Sequence, residues 1–287
     1  MRYRFLRFPG GKPKAFTMSY DDGVRADIRL AEICTRYGVK CTFNINSGMV
    51  HQEPGHRRLM ADEIRKHLLG AGHEIAVHGC MHRASGALPP LELIQEILND
   101  RLGLEKEFGG IVRGMAYPDS GITKIHTGTS YETICQILKD LGIVYARSLA
   151  GDNDRFLLPE DWYNLIPTAH HNNPQVLEFA KKFVAFDYEK LYSASRYPRL
   201  FYLWGHSYEF DNNDNWDRIE AILDILAGKD DTWYPTNIQL WEYVHAYESL
   251  VYSADCRRVY NPNLQEVWFD VDGTLYSVKP GETVEIA

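Results

Sequence analysis

The chain has no long apolar run. Nowhere do its 287 residues approach the roughly 20 consecutive apolar positions that a membrane helix needs. The N-terminal stretch, MRYRFLRFPGGKPK, scatters charge along itself and lacks the apolar centre of a secretory signal. The expectation is a cytoplasmic chain, or a secreted one whose signal has been removed, with no membrane partner. No C-x-x-C pair occurs. Cys34, Cys41, Cys80, Cys135 and Cys256 are odd in number and widely spaced, which argues for reduced, mostly buried thiols over a disulfide framework. No Lys/Arg block occurs either. With 31 basic against 39 acidic side chains the formal charge is −8. A polyanion ligand needs a concentrated basic face, so nucleic acid is not an expected partner. Internal repeats and low-complexity segments are absent.

What is present is ordinary for a globular chain with a large core: 45% hydrophobic and 24% charged residues. The length exceeds one average domain but suits a single α/β barrel. Aromatics, 13% of the chain with 18 Tyr and 6 Trp, serve as core or as sugar-stacking platforms.

Strand-like and helix-like patterns alternate with short connections. Lys14–Tyr20 reads as a buried strand, and Asp21-Asp22-Gly23 follows it. Ile28, Ala31, Ile33 and Tyr37 mark one helical face, closed by Gly38. Val39–Ile45 is a second strand, Ala61–Leu69 a helix, and Glu74–Val77 a third strand leading into His78-Gly79-Cys80-Met81-His82. Pro90–Phe108 is a helix, Arg113–Tyr117 a strand, Ser130–Leu141 a helix and Ile143–Ser148 a strand. This is the pattern of parallel βαβ units, whose chemistry collects at the C-terminal strand ends. In the less regular second half, Trp162–Thr168 and Arg199–Trp204 read as strands, and the latter delivers Gly205-His206-Ser207. Pro174–Phe186, Asp214–Leu226 and Asn237–Val251 read as helices. VWFDV and TLYSV around Asp272-Gly273 read as a hairpin. The string Asp270-Val271-Asp272-Gly273-Thr274 matches a phosphatase nucleophile signature. That motif belongs at the start of a long α/β domain, and a hairpin turn explains it here.

Two imidazoles at i and i+4, just past a strand, suit a metal, since neutral imidazole is its commonest ligand. Adjacent carboxylates leaving another strand point to different sides. One of the pair Asp21-Asp22 can bind metal while the other faces a water. Two histidines and one carboxylate leave positions open, as catalytic metals require.

These motifs carry a resemblance. SYDDG, TFNIN, HGCMH, RGMAYP and YLWGHS, in this order from about Phe16 to His206, are similar to the motifs of the polysaccharide deacetylases (the NodB-homology, or carbohydrate esterase family 4, proteins). The resemblance implies an irregular (β/α) barrel of about seven strands, expected over 1–255, and the hairpin signal makes 256–287 a small C-terminal β-hairpin appendage on the same domain. It implies metal-dependent removal of acetyl groups from N- or O-acetylated sugars. By resemblance Asp22, His78 and His82 are the metal ligands, and the cofactor is a divalent metal, zinc first, with cobalt or nickel able to occupy the same donors. Asp21 is the base, held charged by Arg113. The Tyr117 backbone N–H stabilises the oxyanion. His206 is the acid, tuned by Asp161. Apart from the resemblance, Trp204, Tyr117 and His170 are candidates for the substrate side, with core packing the alternative for Trp204 and a solvated loop for His170-His171, and Glu209 either orients His206 or is a rim carboxylate.

The chain departs from the family pattern at three places. Gly79 stands where Ser or Thr is usual. Arg113 and Tyr117 are one position further apart than usual, and WGHSYEF replaces a Leu-rich motif. These departures imply a divergent branch. The alternatives are a hydrolase of small non-peptide C–N compounds, an iron oxygenase using the same ligand trio, and a decayed sugar-binding module. Substrate identity, physiological metal and any homo-oligomer are left open by the sequence.

Overall fold

In a computed structural model, which describes residues 2–50, 58–149 and 151–286, seven parallel strands form a curled half-barrel. Its centre is β2 (Lys14–Asp21), in which every residue is buried. Such a strand is covered on both faces, which is why it reads as a continuous apolar run. The path also includes β3 (Thr42–Ile45), β4 (Glu74–Val77), β5 (Gly114–Ala116), β6 (Tyr145–Arg147), β7 (Ala169–His170) and β8 (Arg199–Gly205), in the order β6-β5-β4-β3-β2-β8-β7. The short β9 (Thr232–Trp233) also pairs with β2. The alternating pattern predicts the parallel strands, and the barrel-type curl is the one that the resemblance implies.

Helices cover the outside: α1 (Ala26–Arg36), α3 (Pro90–Phe108), α4 (Tyr131–Asp140), α5 (Val176–Val184) and α7 (Asp217–Leu226). Their apolar stripes, such as Leu93, Ile97 and Leu104 of α3, pack on the sheet in one large core cluster. The helix expected over Ala61–Leu69 is α2 (Ala61–Glu63), which opens into a π turn at Ile64–Leu68. The wider turn keeps the fully buried Ile64 and Leu68 on one face. No helix among the described residues is long and apolar enough to cross a membrane.

Two sequence expectations need correction. Trp162–Thr168 is not a strand. Asp161 caps a 3-10 turn at Trp162–Asn164 through the Tyr163 amide, and Leu165 alone bridges to Arg147. Pro167 has no N–H to extend the ladder. The helix expected from Asp214 begins at Asp217, and a separate short helix, α6 (Tyr208–Asn212), precedes it.

The C-terminal part, after α8 (Asn237–Glu248), is more than a hairpin. β10 (Val251–Tyr252), β11 (Arg258–Tyr260) and β14 (Thr283–Glu285) form one small antiparallel sheet. β12 (Val267–Val271) and β13 (Thr274–Val278) form the expected Asp-Gly hairpin, and β1 (Arg4–Arg7) adds a third strand beside β12. The N-terminal residues are thereby tied to the C-terminal ones.

Parallel register lines up one rim. Asp21 pairs with Asn44, Ile45 with Val77, Ala116 with Arg147, Tyr20 with Gly205 and His170 with Trp204. Among the residues at or just past these pairs, Asp21, Asp22, His78 and His206 meet at this rim.

Candidate active site

Asp21 and Asp22 leave β2 through a sharp turn. Asp22 has φ +84° and Gly23 φ +61°, a left-handed region that Asp tolerates better than most residues. A Cβ on Gly23 would meet Ile45 Cδ1 at 2.9 Å. The turn sends the two carboxylates apart. The Asp22 Oδ1 atom lies 3.2 Å from His82 Nε2 and 3.7 Å from His78 Nε2. Asp22, His78 and His82 each offer a donor atom within 4.8 Å of the others. Asp22 Oδ1 and His78 Nε2 are buried and have no hydrogen-bond partner among the described residues.

The donor set fits a divalent cation. Ligands held at about 2.0–2.2 Å on a tetrahedral ion sit roughly 3.4 Å from one another, close to the distances here. The tautomer fits as well. His78 Nδ1 is 2.9 Å from the Ala116 carbonyl, so Nδ1 carries the proton and the Nε2 lone pair faces Asp22. The ligand loop is pinned by backbone contacts. Asn46 Nδ2 donates to the carbonyls of His78 and Gly79, at 2.6 and 2.8 Å. The Asp100 carboxylate accepts from the His78 and Ser47 amides, and burial pushes its carboxyl up to about 7. Glu96 accepts from the Met81 and Arg83 amides. Gly79 has φ +74°, and a Cβ there would lie 2.9 Å from Glu96 Oε1, so the Glu96 side chain would have to shift. Asn46, Asp100 and Glu96 together fix a loop that lacks the usual hydroxyl at this position.

Electrostatics separate the two carboxylates. Burial alone would raise Asp22, but contact with His82 and the charges of His78 and Arg58 hold it below the carboxylate range. Burial would raise Asp21 too, but Arg147, His78 and His206 outweigh it and the net shift is downward. Asp21 accepts from Asn44 Nδ2 at 2.8 Å and from the Arg147 guanidinium. His206 Nε2 stands 4.0 Å from Asp21 Oδ2. Its other nitrogen, Nδ1, is 3.2 Å from Glu209 Oε1. Burial would lower His206, but Glu209, Asp21 and Asp22 raise it above the ordinary imidazole value. Glu209 in turn is lowered, its burial outweighed by the His171 and His206 rings.

Asp21, Asp22, His78, His82 and His206 thus come together at one mouth. Three other expected residues do not. Arg113 precedes β5 and so lies at the opposite end of the strand from Tyr117. Its guanidinium stacks on Trp241 at 4.8 Å and reaches Glu242 at 3.4 Å. Arg147, at the C-terminal end of β6 and fully buried, takes the place beside Asp21. The sequence held a signal for this, since Arg147 falls near the end of the expected strand Ile143–Ser148. The Tyr117 amide is already committed to the ladder, donating to the Arg147 carbonyl at 2.9 Å, and its hydroxyl donates to the Tyr163 carbonyl. The amide is therefore not a free oxyanion donor. Asp161 is exposed, caps Tyr163 and accepts from the Tyr131 hydroxyl. The carboxylate on His206 is Glu209, brought by the first turn of α6.

Trp204 is half-buried on the rim. Its face carries the Arg147 guanidinium at 4.4 Å and the edge of His170 at 4.6 Å. His170 also approaches Glu209 Oε2, at 3.3 Å. Burial lowers its ring to about 4, so it is neutral. Asp27, unread in the sequence, is buried under the mouth. It accepts from the Val24 amide at 2.9 Å and Ser207 Oγ at 2.5 Å, tying the Asp21-Asp22 turn to the His206 loop.

The model of the polysaccharide deacetylase family matches residues 8–146. Among curated proteins none matches. A putative polysaccharide deacetylase from Mycobacterium smegmatis is 16% identical, with 86% of this chain and 96% of that one covered and a TM-score of 0.57. The Xyl-CE4 domain of a multidomain xylanase from the hindgut metagenome of Trinervitermes trinervoides is 14% identical, with coverage of 82% and 92% and a TM-score of 0.52. The Streptococcus pyogenes deacetylase PplD, solved with acetate, is 17% identical with a TM-score of 0.41; the match covers 48% of this chain and 56% of that one. At these identities the likeness to solved structures is a likeness of fold.

Proposed function

We propose that this chain, whose residues 8–146 match the polysaccharide deacetylase family model, is a metal-dependent hydrolase removing acetyl groups from N- or O-acetylated carbohydrate. The observation that carries this reading is the meeting of two unlike carboxylates. Asp22 faces two imidazole nitrogens with an unpartnered oxygen, and Asp21 beside it is held ionised by a buried arginine.

Asp22, His78 and His82 would hold the ion. A divalent metal, zinc first, supplies Lewis-acid polarisation and an acidified water. The residues supply the rest. Asp21 accepts the proton of the attacking water, its anion stabilised by Arg147 and Asn44. His206 points Nε2 at the same space and delivers a proton to the departing amine or alcohol, which leaves poorly without one. Glu209, on Nδ1, stabilises the imidazolium. Arg147 links the base to the wall of the cleft by stacking on Trp204, which offers the sugar an apolar face.

The test is metal analysis together with acetate release from a panel of acetylated sugars. Wild type should bind one ion tightly and release acetate. Asp22→Ala should lose that ion. Asp21→Asn should keep the ion and lose turnover by about 100-fold or more. Full turnover in Asp21→Asn would remove the base assignment. A bound ion without acetate release from any sugar would move the substrate to small C–N compounds.

A further inference from the structure

Behind His206, on the side away from Asp21, a second set of metal-type donors converges. β7 ends in His170, β8 leads into His206, and α6 brings Glu209. One ligand atom from each lies within 4.8 Å of the other two. Glu209 Oε1 is 3.2 Å from His206 Nδ1, and Oε2 is 3.3 Å from His170 Nε2. The two imidazole nitrogens approach different oxygens of the one carboxylate, each at close to the roughly 3.4 Å separation of neighbouring ligands on zinc. The adjoining His171 crowds the same carboxylate. It is fully buried between Tyr20 and Phe210, and its Nε2 is 3.0 Å from Glu209 Oε2.

We infer that His170, His206 and Glu209 form a second, weaker divalent-metal site, and that an ion there disables His206 as the acid. The ranking follows from the two tautomers. His78 already carries its proton on Nδ1, toward the Ala116 carbonyl. His170 does not. Its Nδ1 accepts from the Asn172 amide at 3.1 Å, which places the proton on Nε2. An ion at Nε2 must move that proton to Nδ1 and displace the Asn172 contact. Asn172 Nδ2 also holds Glu209 Oε2, at 2.8 Å, and competes for it. The first ion therefore goes to Asp22, His78 and His82, and the second binds only in excess.

The consequence is chemical. An ion on His206 Nδ1 displaces one proton to solvent and leaves the ring neutral, with its remaining proton on Nε2. Giving up that proton would leave an imidazolate, so the ring no longer donates in the neutral range. This consequence rests on the proposed role of His206; the site itself does not.

Equilibrium dialysis against zinc alone tests the site on wild type, Asp22→Ala and His170→Phe, with acetate release followed over the same zinc series. Wild type should take up two ions. Asp22→Ala should lose the tighter one. His170→Phe, which keeps the ring volume, should bind the second about 10–100-fold more weakly. Acetate release in wild type should rise with the first ion and fall as the second fills, and His170→Phe should lose the fall. Glu209→Gln is the second variant and should weaken the same ion. Uptake of one ion by wild type, or unchanged second-ion uptake in both His170→Phe and Glu209→Gln, overturns the inference. Two ions with this dependence but no acetate release from any sugar would support the second site while refuting the acetylated-sugar reading.

Discussion

Arg147 is the residue on which the base assignment turns. Its guanidinium is fully buried, and so is the Asp21 carboxylate it contacts. Removing one member of a buried pair leaves an uncompensated charge, which costs about 3–5 kcal/mol. The protein has a cheaper response: Asp21 takes up a proton. Burial is already the largest influence on that carboxyl and pushes it upward, and Arg147 is the largest opposing influence. With Arg147→Met the opposition falls to His78 and His206, and the folded pKa of Asp21 rises.

Two readouts follow, and their signs differ from wild type. In wild type the Asp21 pKa is lowered on folding. It contributes stability above the unfolded value of about 4, lost as pH falls through the lowered folded value. In Arg147→Met the raised pKa reverses this: the variant loses stability as pH climbs from about 4 through the raised value. The acid limb of acetate release also moves to higher pH, because the base must be ionised. At neutral pH turnover should drop by about 100-fold or more. Arg147→Lys should recover only part, since an ammonium neither forks onto the carboxylate nor stacks on Trp204 in the same way. Arg113→Ala is the control. That arginine is one-third exposed and paired with the half-exposed Glu242, so the loss should stay within about 1 kcal/mol and leave the pH profile in place. The assays are melting temperature and kcat against pH. A silent Arg147→Met beside an inactive Arg113→Ala would refute the argument and restore the arginine expected from the sequence.

Two further predictions use the same rim. Glu209→Gln should lower the His206 pKa, because the carboxylate stabilises the imidazolium; the alkaline limb of acetate release then moves down in pH. Asp161→Asn, which touches Tyr131 and Tyr163 instead, should leave that limb unmoved in the same titration. Gly79→Ser brings in the residue usual in the family, yet it should destabilise by about 1–2 kcal/mol on backbone conformation alone, since φ is +74°. The contact between its Cβ and Glu96 Oε1 adds to that. A melting temperature unchanged or raised in Gly79→Ser would contradict the loop geometry.

The strand–helix alternation and the residues just past β2, β4 and β8 were legible because each is local. An apolar run ends, and a polar motif begins where a parallel sheet presents its chemistry. The Trp162–Thr168 strand does not form, despite its β-type composition, because Asp161 and Pro167 cap and break the segment. The first strand escaped notice because RFLR has no pattern of its own and is a strand only against Val267–Val271, far along the chain. Arg147 was illegible as a partner of Asp21 for a related reason. They are 126 positions apart, and only the strand order shows that β6 curls round to face the end of β2.

The two displaced roles make one physical point. A curled parallel sheet presents all its strand ends to one mouth. A charge needed there can then come from whichever strand end or following turn reaches it. The cation on Asp21 comes from β6 and not from the residue before β5, because only the C-terminal end of a strand faces the mouth. The carboxylate on His206 comes from α6, one turn further along, and not from the capped turn at Asp161. Both substitutes bring a new neighbour. Arg147 carries Trp204 with it, so the base and the cleft wall move together. Glu209 carries His170, His171 and Asn172, and that cluster is where a second ion would reach the acid. Position along the chain therefore predicts these roles less well than the end of the strand from which a side chain departs.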